Sequence, residues 1–87
     1  MMRFSLNDIA GGGRVAELHF AANGQPVVTG AGSRAEEIFN FVSEMDNVWL
    51  PRTKQRVVVD WKNKEHRAAV AAGFGPLGLY AQPETRL

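Results

Sequence analysis

Asn23-Gly24, set between two stretches of alternating polarity, constrains this chain more than any other feature. Before it, Ala16, Leu18 and Phe20 alternate with Val15, Glu17 and His19; after it, Gln25 to Thr29 includes Val27 and Val28. Such a dipeptide predicts an antiparallel hairpin, because a two-residue turn of the favoured hand needs positive φ at both positions. That loop would set Phe20 opposite Val27 and Leu18 opposite Thr29. Pro26 has no amide to donate, so the strand after the turn is expected at a sheet edge or starting there. Upstream, Phe4 and Leu6 alternate with Arg3, Ser5 and Asn7, which predicts a first strand. Gly11-Gly12-Gly13 separates it from the second.

Ser33 and Glu36 have the spacing of a capping box, and Ala35, Ile38, Val42, Met45 and Trp49 then recur at helical intervals. Phe39, Phe41 and Val48 widen that stripe, and Pro51 stops it, so one long amphipathic helix is expected from Ser33 to about Val48–Leu50. Arg56 to Trp61 reads as a strand starting as early as Thr53, with Val57, Val59 and Trp61 toward the helix. Asn63 is placed to cap a second helix over 64–72, ended by Gly73 in the left-handed region. Phe74 to Tyr80 has no helical period and reads as an apolar loop or a last short strand, and 81–87 as a loose C-terminal tail. The order β-β-β-α-β-α predicts a small single α+β domain over 1–87. Its sheet would have three or four mainly antiparallel strands, packed on one helix.

Val27-Val28-Thr29-Gly30-Ala31-Gly32-Ser33-Arg34-Ala35 resembles the phosphate-binding turn of Rossmann folds, in particular the Thr-Gly-x-x-x-Gly-x-Gly segment of short-chain dehydrogenases. The resemblance implies a pyrophosphate at the helix start, with Asp60 near where a ribose-binding acid would stand. It covers nine residues, and Arg34 occupies the place of the family's next glycine. Tyr80 is followed four residues later by Glu84, so the family's Tyr-x-x-x-Lys pair is missing, and 87 residues do not accommodate two nucleotide-binding halves. A tight hairpin before the turn also conflicts with a parallel crossover. The glycines are expected to bend the chain, and no cofactor is expected.

No catalytic set assembles from the remaining residues. The chain has no cysteine, hence no disulfide, thiolate metal site or thiol nucleophile. Its two histidines, His19 and His66, lack partners at metal-ligand spacing. Glu36 and Glu37 are adjacent, diverging by about 100° on a helix, and Ser5, Ser33 and Ser43 have no His and acid in a nucleophile-like setting. The protein is therefore expected not to be an enzyme. No apolar run reaches membrane-spanning length and no signal peptide opens the chain, so a cytoplasmic protein without membrane contact is expected.

The formal net charge of +1 conceals a separation. From Ser33 to Leu50, Arg34 faces four acids: Glu36, Glu37, Glu44 and Asp46. From Pro51 to Arg67, six bases (Arg52, Lys54, Arg56, Lys62, Lys64, Arg67) outnumber Asp60 and Glu65. On a strand, Arg52, Lys54 and Arg56 would form one stripe. Phe74, Leu77, Leu79 and Tyr80 follow after most of the helix–sheet core is accounted for, with Phe41 and Val48 at the rim of the helix stripe. The segment either folds back over the sheet or forms an exposed patch for a partner or a second copy. Together these features predict a non-catalytic protein-binding module, adaptor or inhibitor of the compact type common among phage and mobile-element products. Glu37, Glu44, Arg52, Lys54, Arg56, Phe74, Leu77 and Tyr80 would make its contacts with another protein, or with a second copy in a homo-oligomer. The alternative is a nucleic-acid-binding module using the basic stripe over 52–67, with Lys62, Lys64 and Arg67 joining Arg52, Lys54 and Arg56.

Overall fold

The computed structural model describes residues 2–84. It is an α+β fold with a four-stranded antiparallel sheet, a separate two-stranded sheet and two helices. Strands β1 (Arg3–Asp8), β2 (Arg14–Phe20) and β3 (Pro26–Thr29) follow one another as a meander. The last strand, which closes the sheet on the far side of β1, is Leu79–Pro83, so the spatial order is Pro26–Thr29, β2, β1, Leu79–Pro83.

The hairpin at Asn23-Gly24 forms, but its register is one residue away from the two-residue expectation. Phe20 pairs with Pro26 and Leu18 with Val28. Ala21 N donates to Gln25 O and Gly24 N to Ala21 O, so the loop has three residues. Gly24 has positive φ (89°) and Asn23 does not, which is the geometry of a turn followed by a left-handed bulge residue. The Asn23 side chain instead accepts from Gln25 N at 3.0 Å, an Asx turn that the residue forms readily. Pro26 and Val28, rather than Val27 and Thr29, thus share the core side with Phe20 and Leu18.

Hydrogen-bonded pairs alternate along an antiparallel ladder. Ala21 bonds to Gln25, so Pro26 turns its amide position away from β2; Glu84 N donates to Arg3 O, so Pro83 turns away from β1. Both outer strands of the large sheet therefore have a proline where an N–H would face outward.

Helix α1 is Ala35–Ser43, half the expected length. Ser33 lies in a 3-10 turn, Gly32–Arg34, and the helix starts after Arg34 with no side-chain cap, so the Ser33–Glu36 capping box does not form. Asn47–Leu50, expected as the helix end, is strand β4, paired antiparallel with β5 (Gln55–Val58) through a turn at 51–54. Asp46 and Asn47 compete with helical backbone bonds. Asp46 O accepts from Val59 N instead, and Val48 and Leu50 point inward while Trp49 points out. Arg52 and Lys54 belong to the turn, Lys54 with φ 54°, so only Arg56 of the expected basic stripe is on a strand.

Helix α2 (Lys64–Ala71) begins as expected: the Asn63 side chain accepts from Glu65 N at 2.8 Å and His66 N at 3.3 Å. Asn63→Ala is expected to cost about 1 kcal/mol, measured by urea unfolding. Gly73 does not adopt the left-handed conformation. Glycine suits it because a Cβ would lie 3.3 Å from Val70 O and 3.4 Å from Met45 Cε.

Phe4, Leu6, Ala16, Leu18 and Phe20 form the buried sheet face and cluster with Ile38 and Val42 of α1 and Val70 and Ala71 of α2. Phe74 is fully buried, its ring centroid 5.3 Å from that of Phe41, and Leu79 is buried beside it in the same cluster. Of the two readings of the segment after α2, a cover for the sheet or an exposed patch, Phe74 and Leu79 therefore follow the first. After a 3-10 turn at Gly75–Leu77, strand β6 (Leu79–Pro83) pairs with β1. Residues 81–83, expected in a loose tail, are part of that sheet; 85–87 lie outside the described residues. Phe39, expected in the core, is instead exposed.

Candidate functional site

The expected contact residues do not gather on one surface. On α1, Glu37 is exposed and accepts from Arg34 Nε at 2.7 Å; Glu44 caps the C-terminal end of the same helix. Arg34 Nη2 also reaches Leu77 O at 3.1 Å, so the half-buried Leu77 belongs to an intramolecular tie. Phe74 has no exposed surface to offer. Tyr80 is exposed, paired with Asn7 on the polar side of the large sheet. That side also carries Ser5, Asn7 and the Arg3–Glu17 ion pair.

The basic residues also divide. Lys62 and Lys64 are exposed around the start of α2. Arg67 folds inward: Nη1 donates to Trp61 O at 3.0 Å and the guanidinium stands 5.9 Å from the centroid of the Phe20 ring. It ties α2 to the core and leaves the stripe. Arg52, Lys54 and Arg56 remain exposed together at the tip of the β4–β5 hairpin.

What the structure does bring together is a groove of about 720 Å³ between β4 and α2. Phe41 and Met45, at the C-terminal end of α1, supply one end. Ala68 and Ala69 of α2 and Ala72, its C-cap, supply a low apolar wall, and Pro76 closes beyond them. All four residues of β4 line the other side, joined by Arg52 and Arg56. Trp49 is 49% exposed there, directly opposite Arg56 in the hairpin ladder. Glu65 is the acid facing these two arginines, with its Oε2 3.6 Å from Arg52 Nη1; both groups are well exposed, so the tie is weak.

Of the expected contact residues, only Arg52 and Arg56 line this groove. Trp49 was hidden by its fit to a helical stripe. Its real signal was the alternation Asn47-Val48-Trp49-Leu50 after a helix-breaking Asp46-Asn47 pair.

The Gly30–Ser33 turn holds no Rossmann geometry, because the strand before it is an antiparallel edge strand. Asp60 is engaged locally, its carboxylate accepting from Lys62 N at 3.1 Å while its own amide donates to His66 Nδ1 at 2.9 Å. Among the described residues no cluster of His, Asp and Glu has the geometry to hold a metal ion, and no helix is long and apolar enough to cross a membrane. Comparison with protein families, with curated proteins and with solved structures finds no match.

Proposed function

We propose that the protein is a small non-catalytic protein-binding module, an adaptor or inhibitor of the kind phage and mobile elements encode, acting in the cytoplasm. The observation that carries this reading is Trp49, a large aromatic left half exposed on an apolar groove with arginines at its rim. Tryptophan and arginine in a largely apolar depression are the residue types that dominate the energetics of protein interfaces. Folding alone would favour covering an indole, which gains roughly 25 cal/mol for each Å² removed from water. A partner that covers it supplies that gain on binding.

A photo-crosslinking residue at Asn47, on the groove wall, is expected to capture a defined partner protein in the native host; the same residue at Tyr80 is not. Trp49→Ala should weaken that complex by about 2 kcal/mol or more, ~30-fold in affinity. No adduct at Asn47, or equal capture at both positions, would sink the reading.

A second reading, nucleic-acid binding, is favoured by one arrangement: Trp49 stands exposed opposite Arg56 and shares the groove with Arg52, with exposed Lys54 in the adjoining turn. An aromatic among cations can stack a base while the charges hold phosphates. It predicts oligonucleotide binding that weakens steeply with salt and disappears when Arg52, Lys54 and Arg56 are all changed to Glu.

A further inference from the structure

Building on the groove reading, we propose that the occupant is an extended, acidic, apolar-anchored segment of a partner protein, added as a strand to the open edge of β4. The placement of the groove is the first argument. Successive β4 residues point to opposite faces, with Val48 and Leu50 buried and Asn47 and Trp49 exposed, yet all four line the groove. From β5 only Arg56 does so. A depression lined by both faces of one strand runs along that strand's edge, not across a face.

The edge is also chemically open. Val59 N donates to Asp46 O at 3.0 Å, so the alternation of the ladder places Val48–Val57 and Leu50–Gln55 in hydrogen-bonded pairs. Asn47 and Trp49 therefore turn their N–H and C=O groups away from β5. Those four backbone groups belong to residues that line a largely apolar groove. An incoming helix satisfies its own backbone and would cover them unpaired, which is costly. An incoming strand satisfies them, and its alternate side chains fall toward the alanine wall of α2.

Charge selects the sequence class of that strand. Arg52 and Arg56 border the groove and Lys54 shares the turn of Arg52, against a single lining acid, Glu65. Acidic residues flanking the apolar anchors would replace Glu65 as partner of Arg52. The outer strands of the large sheet of a second copy fit less well: neither contains an acid, and each has a proline at one of its outward-turned positions.

The test uses the full chain and three short synthetic peptides. One alternates Val or Ile with Asp or Glu; the second replaces its acids with Lys; the third is the acidic peptide N-methylated at alternate amides along its bonding edge. Affinity is read from tryptophan fluorescence, and edge pairing from hydrogen exchange of the Asn47 and Trp49 amides. The acidic peptide should bind ~10-fold or more tightly than the lysine peptide, and an Arg52→Glu/Arg56→Glu double variant should reverse the preference. N-methylation should cost ~10-fold or more, and the two amides should exchange more slowly in the complex. Equal binding of the two charge types, tolerance of N-methylation, unchanged exchange at Asn47 and Trp49, or no peptide binding at all would each overturn the proposal. So would an oligonucleotide that occupies the groove when the peptides do not. A peptide that perturbs the groove without slowing those amides overturns strand addition and leaves the groove reading standing. Failure of crosslinking at Asn47 in the host removes both.

Discussion

Phe74→Ala is expected to lower the stability of the protein by about 3–5 kcal/mol, enough to unfold a large share of the molecules under mild conditions. The ring is fully buried and packs against Phe41, with Leu79 in the same cluster. Chains of this size retain roughly 4–13 kcal/mol in all, so losing one such ring takes a large fraction. Urea unfolding followed by circular dichroism provides the number. Tyr80→Ala is the control from the same segment, since that side chain is exposed and its removal should stay within about 0.5 kcal/mol. Similar losses for the two variants would mean that Phe74 is not part of the core.

Gly24→Ala should cost about 2–4 kcal/mol, from two causes that can be separated. Its φ of 89° is one that a residue with a Cβ rarely adopts. An added Cβ would also stand 2.5 Å from Trp61 O and 2.9 Å from the carbonyl carbon, both backbone atoms that cannot rotate aside. Gly30 has φ 69° and open space around it, so Gly30→Ala pays the conformational part alone. The excess loss in Gly24→Ala over Gly30→Ala, in the same unfolding experiment, measures how tightly the hairpin turn is pressed against the Trp61 backbone. If the two losses match, the contact with Trp61 is relieved at no cost.

The parts legible in the sequence were those whose signal was local. The alternation in β1 and β2, the hairpin and the Asn63 cap were each written in a few neighbouring residues. The hairpin register was not, because Asn23 can either take positive φ or hydrogen-bond its own backbone, and here it does the second. The helix–strand ambiguity at 45–50 has a similar origin. Met45 and Trp49 extend the spacing of Ile38 and Val42, and four residues of β4 are too few for a period of two to outweigh it. What decided the matter was long-range: Val59, distant in sequence, supplies the donor for Asp46 O. The groove depended on that decision. A helical stripe places Trp49 in the core, which leaves Arg52 and Arg56 as charges without a setting; a strand puts it out beside them. Phe74 stays open between core and surface in the sequence, because its glycine-rich context carries no period that would choose between them.

The two prolines at the margins of the large sheet also bear on how the chain behaves when crowded. A row of strands grows by recruiting further chains at its rims, and a rim position without a donor interrupts that growth. With Pro26 on one rim and Pro83 on the other, edge-to-edge growth through this sheet meets a missing donor at both ends. A briefly opened molecule thus presents its neighbours with rims on this sheet that pair poorly, which lowers the tendency of the sheet to recruit further chains.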